Sequence, residues 1–385
     1  MLINQIKAIK ILNSRAEPTI AVEVKSRDGF TGWGAAPSGA SKGKHEVPAY
    51  GKNIEQSISY INKLNLNTFD SFGDLERVEE KVDVKKAGAN GIIALEFALL
   101  NLLSQEEKKP VWKILNPRAR GTPMPLGNVI GGGAHADSKF DVQEILISPK
   151  TKTFSQAALL NARIYEDVKE ALEKKDKLFT GGTTDEGAWM TSLSDLEAIE
   201  LVYDTSRKYK VRLGLDIASS HFYKNNKYVW QNYAKGKKII ADKKKQIELV
   251  KEMSTKFKLF YIEDPLQEED FSGYAELNKN LKNICGDDLT TTNIERLKQA
   301  IKQKSIAYII IKPNQIGSLI QTKQVFDLAV KKGIIPVISH RSGETDDVTI
   351  SHLAKAWQAP LIKCGIASGE RIAKINELIK IEKEQ

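Results

Sequence analysis

A chain of 385 residues is longer than one compact core usually runs, so a large domain with a smaller companion is expected. Hydrophobic content of 41% with scattered Gly and Pro reads as ordinary globular protein, well supplied with core. The net charge of +9 invites a nucleic-acid reading, but the basic runs 237-KKIIADKKK-245 and 170-EALEKKDK-177 carry no zinc spacing, aromatic-flanked basic stripe or recognised binding motif, and nucleic acid is set aside as the main partner.

The N-terminal stretch MLINQIKAIKILNSRAEPT has no apolar signal core or cleavage site, and no run is expected to span a membrane. Alternation in TIAVEVKS and the Gly-punctuated RDGFTGWGA predict a small antiparallel sheet. NGIIALEFALLNLLSQ then reads as a well-buried helix. Periodicity breaks around NPRARGTPMPLGN, where Pro and Gly cluster, and this places a domain boundary: 1–120 as an N-terminal α+β domain, 121–385 as the larger one. The two cysteines, Cys285 and Cys364, sit in apolar segments and are expected as reduced core thiols of a cytoplasmic protein.

Beyond the boundary, short apolar runs alternate with helical patterns: VRLGLDIA, KLFYIEDP, NICGDD, YIIIKPN, IIPVISH and PLIKCG. Strands and helices alternating at this interval mean a parallel sheet, and this many units favour a closed β/α barrel of the TIM type over a doubly wound sheet. No Gly-rich dinucleotide fingerprint supports the second option.

The six runs end on Asp216, Glu263, Asp287, Lys312, His340 and Lys363, separated by 47, 24, 25, 28 and 23 residues. In a barrel, equivalent strand C-termini converge on one mouth, where catalytic groups sit. Any one of these could be a helix cap or a rim charge; six in succession are hard to explain that way. Asp216, Glu263 and Asp287 offer hard oxygen ligands suited to Mg²⁺. Lys312 and Lys363, beside a cation and each other, are expected to have lowered pKa values, so that one could act as a base. The strand PVISHRSGETDD (336–347) runs straight into His340, Arg341 and Ser342, a combination suited to an anion. Metal, lysine base and anion site together point to removal of a proton alpha to a carboxylate.

At this point the chain resembles the enolase family, whose superfamily is a known case of a Lys or His base working with Mg²⁺. The matching segments run in order along nearly the whole chain: NSRAEPT, PSGASKGKHE, GNVIGGGAHAD, QEILI, DEGAW, GLDIASS, IEDP, GDDLTTTN, IKPNQIGS, SHRSGET and IKCGIASGERIAK. PSGAS, DEG and SHRSGE are specific to enolase proper. The resemblance implies Asp216, Glu263 and Asp287 as metal ligands, with Ser41 joining a second Mg²⁺. It implies Lys312 as the base and Glu186 as the general acid. Lys363 would contact the substrate carboxylate, Gln143 and Glu144 would line the site, and Arg341 and Ser342 would hold phosphate with His340 beside them. His135 would close over substrate from a loop, and QEILI would be an antiparallel second barrel strand. The implied reaction is reversible dehydration of 2-phosphoglycerate to phosphoenolpyruvate, in a cytoplasmic homo-oligomer.

Two rivals remain at this stage: a superfamily member acting on another carboxylate, and a non-catalytic binding role for the basic surface. Intact SHRSGE argues against the first, and the full set of acid, base and ligands against the second as sole role. The chain departs from the family at Ala188, where a second Gly is usual, at Trp189, at His221 and in trimmed loops.

Overall fold

The computed structural model describes residues 1–39, 43–133 and 140–384, so Ser41 and His135 lie outside the described residues. Strands β1 (Ile3–Leu12), β2 (Pro18–Ser26) and β3 (Thr31–Ala35) form an antiparallel sheet in that order. Helices α1 (Ile54–Ile61), α2 (Leu75–Lys81), α3 (Val84–Glu107) and α4 (Val111–Leu115) complete the N-terminal part. Ile20, Val22 and Val24 of β2 are buried in its core, as their alternation predicts.

Sheet and helix meet backbone to backbone. A Cβ on Gly32 would stand 2.1 Å from the Ala98 carbonyl oxygen, and one on Gly34 would stand 2.3 Å from the Ala98 nitrogen. Only glycine allows α3 this close. By length and composition alone α3 could cross a membrane, but 89% of its most apolar window is buried inside the protein, as in a core helix.

Residues 116–123 carry no helix or strand, and the larger part begins after them. Its strands β4 (Met124–Gly131), β5 (Glu144–Pro149) and β6 (Val211–Asp216) come first. Between β5 and β6 lie α5 (Phe154–Lys175) and α6 (Asp195–Ser206). A small sheet follows β6: β7 (Tyr223–Lys224), β8 (Lys227–Ala234) and β9 (Lys237–Ala241). The sequence reading assigned no strands there; the basic run 237–245 divides between β9 and the start of α7 (Lys243–Phe257).

The barrel continues with β10 (Tyr261–Glu263), α8 (Phe271–Leu281), β11 (Ile284–Gly286), α9 (Ile294–Gln303), β12 (Tyr308–Ile311) and the short α10 (Pro313–Ile316). It closes with α11 (Leu319–Lys331), β13 (Ile335–Ser339), α12 (Thr349–Ala356), β14 (Leu361–Lys363) and α13 (Gly369–Lys383). The eight barrel strands close in the order β10-β11-β12-β13-β14-β4-β5-β6. All neighbours are parallel except around β5, which is antiparallel to both β4 and β6. A separate apolar cluster of Leu126, Leu146, Tyr261, Cys285, Ile310, Val337 and Leu361 joins side chains from seven barrel strands. Cys285 and Cys364 are both unpaired and buried.

Candidate active site

Strand ends build the mouth of the barrel. β6 ends on Asp216 and β10 on Glu263, paired in register, and β14 ends on Lys363 beside Ser339 of β13. Asp287, Lys312 and His340 each follow the last residue of their strand. Because β5 runs the other way, its first residue reaches the same end, and Glu144 pairs with Asp216. That reversal is why Gln143 precedes its strand and Glu144 opens it while the other groups sit at the ends of theirs.

One ammonium serves three buried carboxylates. Lys363 Nζ lies 2.9 Å from Asp216 Oδ2, 2.9 Å from Glu263 Oε1 and 3.1 Å from Glu144 Oε2. Burial works to lower the Lys363 pKa, but Asp216, Glu144 and Glu263 outweigh it and hold the group well above its ordinary value. Lys312 Nζ sits 2.5 Å from Asp287 Oδ2. Burial again pulls down, and the Asp287 charge prevails, so Lys312 is also raised. The expected lowering assumes a cation beside the two lysines; among the protein's own groups each ammonium is in direct contact with carboxylates, and these hold it above its ordinary value.

The carboxyls respond to burial in the opposite sense. Glu144 is pushed well above the usual range by burial and then by Glu186, and Glu263 by burial and then by Asp216. Asp287 is buried too, but Lys312 and Lys363 hold it below its ordinary value.

The donor set fits a hard cation. Asp216 Oδ1 and Gln143 Oε1 are buried and accept no hydrogen bond among the described residues, although Gln143 Nε2 donates to Asp216 Oδ2 at 3.1 Å. Orphaned buried oxygens next to several carboxylates are what Mg²⁺ or a similar ion would satisfy. Asp216 and Glu263 share Lys363, whereas Asp287 clusters with Asp264 and Asp288, their ligand oxygens within 4.8 Å of one another. Asp264 pins that turn: its carboxylate accepts the N–H of Asp287 at 3.1 Å and of Asp288 at 2.7 Å, and the Tyr274 hydroxyl at 2.8 Å.

The anion side is equally well braced. Arg341 donates from Nη1 to Asn314 Oδ1 at 2.8 Å and from Nη2 to both Glu46 oxygens at 3.1 and 3.0 Å. Glu46 Oε1 also accepts from Gln315 Nε2 at 3.3 Å, and the same amide donates to Asp287 Oδ1 at 2.9 Å. The Thr292 hydroxyl, 2.6 Å from Gln315 Oε1, fixes which way that amide faces. Glu46, Gln315 and Asp264, which the strand-end rule does not find, lie within PSGASKGKHE, IKPNQIGS and IEDP, and their only sequence signal is a polar side chain at a motif position.

His340 Nε2 lies 3.5 Å from Glu186 Oε2, which also receives Asn128 Nδ2 at 3.4 Å. Burial lowers the His340 pKa against the opposing pull of Glu186, which favours the neutral ring. Glu144, Glu186 and His340 form the second close cluster. Gln143, Glu144, Glu186, Lys312, His340, Arg341, Ser342 and Lys363 all line one small cavity. From the N-terminal domain, Ser14 Oγ donates to the Ser342 carbonyl at 3.2 Å and Arg15 pairs with Asp185. The departures after DEG are absorbed in packing: Ala188 is buried, and Trp189 stacks on Tyr165 with ring centres 4.5 Å apart.

Residues 120–385 match the family model described as the enolase C-terminal TIM barrel domain, and residues 3–115 match that of the enolase N-terminal domain. Among curated proteins the chain is similar to one named enolase from Methanothermobacter thermautotrophicus, 39% identical over 100% of this chain and 97% of that protein. Proteins of the same name from Methanosphaera stadtmanae (38% identical, covering 99% and 97%) and Natronomonas pharaonis (37% identical, covering 99% of each) align as completely.

Proposed function

The chain belongs to the enolase family and is a hydro-lyase of that family; we propose that its barrel mouth dehydrates 2-phosphoglycerate reversibly to phosphoenolpyruvate, the step enolases serve in glycolysis and gluconeogenesis. The observation that carries this reading is the shared cavity, in which a lysine, a glutamate and two sets of anion contacts face one space.

Lys312 acts as the base. Its nitrogen lone pair takes the C2 proton, leaving the electron pair of the broken C–H bond on the substrate. Glu186 then gives a proton to the C3 hydroxyl as the C3–O bond breaks, so that water leaves and the C2–C3 double bond forms. Lys363 pairs with the substrate carboxylate, Arg341 and Ser342 hold phosphate, and Gln143, Glu144 and neutral His340 shape the wall next to the leaving group. Mg²⁺ held by Asp216, Glu263 and Asp287, with the second ion that the resemblance assigns to Ser41, would supply fixed positive charge for the substrate carboxylate and draw Asp287 away from Lys312. His135 belongs to the same proposal as a closing group.

Cytoplasmic location, a homo-oligomeric state and a division into domains 1–120 and 121–385 complete the reading; the two unpaired buried thiols suit a reducing compartment. The test is the absorbance of phosphoenolpyruvate formed from 2-phosphoglycerate, with Mg²⁺ and after chelation. Turnover that requires the ion is expected. Absence of turnover, with activity on an unphosphorylated hydroxy acid instead, would replace this reading by another superfamily reaction.

A further inference from the structure

The turn that presents Arg341 and Ser342 is held from behind by a buried cation the mechanism does not use. Arg371, in the first turn of α13 and fully buried, donates from Nη2 to the Ser342 carbonyl at 2.7 Å and to the Arg341 carbonyl at 3.2 Å. Its stem also fixes the neighbouring loop: a Cβ on Gly365, two residues past Lys363, would stand 2.7 Å from Arg371 Cδ and 2.5 Å from the Glu186 carbonyl. One guanidinium thus touches the anion-holding turn and abuts the loop that follows Lys363.

The next helical turn repeats the device. Lys374 donates to the Thr345 carbonyl at 2.8 Å and pairs with Glu344 at 2.9 Å, while Glu344 Oε1 accepts the Arg341 N–H at 3.0 Å. Each of these buried cations has a carboxylate, Glu370 for Arg371 and Glu344 for Lys374, and each also donates to carbonyls of the turn itself.

We propose that Arg371 is a positioning residue for phosphate recognition, setting the backbone of 341–342 so that Arg341 and Ser342 meet the phosphate together. It touches no substrate atom. The proposal rests on the enolase reading given above.

The test is Arg371→Met, which keeps an apolar stem and removes the two hydrogen bonds to the turn together with the pairing to Glu370, with Arg371→Lys beside it. Measured are KM for 2-phosphoglycerate, kcat at saturation and inhibition by inorganic phosphate. A misplaced turn should raise KM and the phosphate inhibition constant together by about tenfold or more, since a charge-assisted hydrogen bond is worth roughly that much, with kcat changed far less. Arg371→Lys, whose ammonium lacks the planar fork, should shift both constants in the same direction by a smaller factor. A purely structural role would lower the melting temperature or the active fraction and leave both constants at their original values, and that result overturns the proposal. Should Arg371→Met not fold, Arg371→Lys decides by the same two constants. If the unsubstituted chain itself fails to turn over 2-phosphoglycerate, the enolase reading falls and this proposal with it; unchanged constants in the variants of an active chain remove this proposal alone.

Discussion

Replacing Lys363 by Met removes one charge and leaves three buried carboxylates without their shared partner, at separations of 2.9 to 3.1 Å. Removing one member of a buried ion pair costs about 3–5 kcal/mol, because the group left behind remains desolvated. Unfolding entropy of roughly 2.1 cal/mol/K per residue makes a loss of about 4 kcal/mol in a chain of 385 residues equal to about 5 °C in Tm. The comparison is a thermal melt of both proteins in chelator, repeated with excess Mg²⁺. In chelator Lys363→Met should melt about 5 °C lower. With Mg²⁺ the gap should narrow, since a cation that binds only the folded oxygen cluster stabilises it by mass action. Activity should be lost in both conditions, because Met cannot pair with a substrate carboxylate. Equal melting temperatures in chelator would refute the claim that this lysine holds the carboxylates in place; Mg²⁺ that moves neither melt would refute the cation site.

Arg341→Lys keeps the charge and loses the two-oxygen grip on Glu46, so KM for 2-phosphoglycerate should rise by about tenfold or more; an unchanged KM would remove Arg341 from phosphate recognition. In deuterated water, Lys312→Ala should show neither C2 exchange nor product, while Glu186→Gln should still exchange the C2 hydrogen and form very little phosphoenolpyruvate; the opposite pattern would reverse the two roles. Glu96, buried in α3, is pushed well above its ordinary value of 4.5 by burial and then by Glu79, against the Leu319 N–H that it accepts. A carboxyl raised in the folded state contributes stability that is present below 4.5 and lost as pH rises through the folded value, so Glu96→Gln should match the parent in acid and exceed it in urea resistance at pH values above that point. A parent that gains on the variant with rising pH would contradict this sign.

The strand ends were legible because a parallel barrel buries both faces of each strand, leaving a run of apolar residues that stops abruptly at a charge. That rule located Asp216, Glu263, Asp287, Lys312, His340 and Lys363 on one mouth before any geometry was known. It could not find Gln143 and Glu144, which stand at the start of a reversed strand; those came from resemblance alone. The β7–β9 sheet was missed because its lysines dominate the pattern, while Tyr228 and Trp230 pack inward without a long apolar run. Glu46 and Gln315 were invisible for a different reason. Their significance lies in contacts across 295 residues to Arg341 and 28 residues to Asp287, and nothing local in PSGASKGKHE or IKPNQIGS states who the partner is.

The raised lysine pKa values carry a physical lesson about charge inventories. From sequence, Lys312 is placed beside Lys363 and a cation, and the first of these acts here: Lys363 works to lower Lys312. That placement does not weigh the carboxylates by distance. At 2.5 Å, Asp287 dominates Lys312, and three carboxylates dominate Lys363. Two opposing requirements are therefore met by one cluster. The fold needs positive charge among these carboxylates to keep them buried, and the reaction needs a lysine free of its proton. A divalent cation held by the same oxygens would satisfy both, since it would supply the carboxylates with positive charge in place of the lysines. On that argument the pH at which Lys312 becomes a competent base should fall as Mg²⁺ saturates the site, and the acidic limb of the C2-exchange profile should move to lower pH between limiting and saturating Mg²⁺. A limb that stays fixed would mean that Lys312 keeps its Asp287 partner throughout the reaction and that the base is another group.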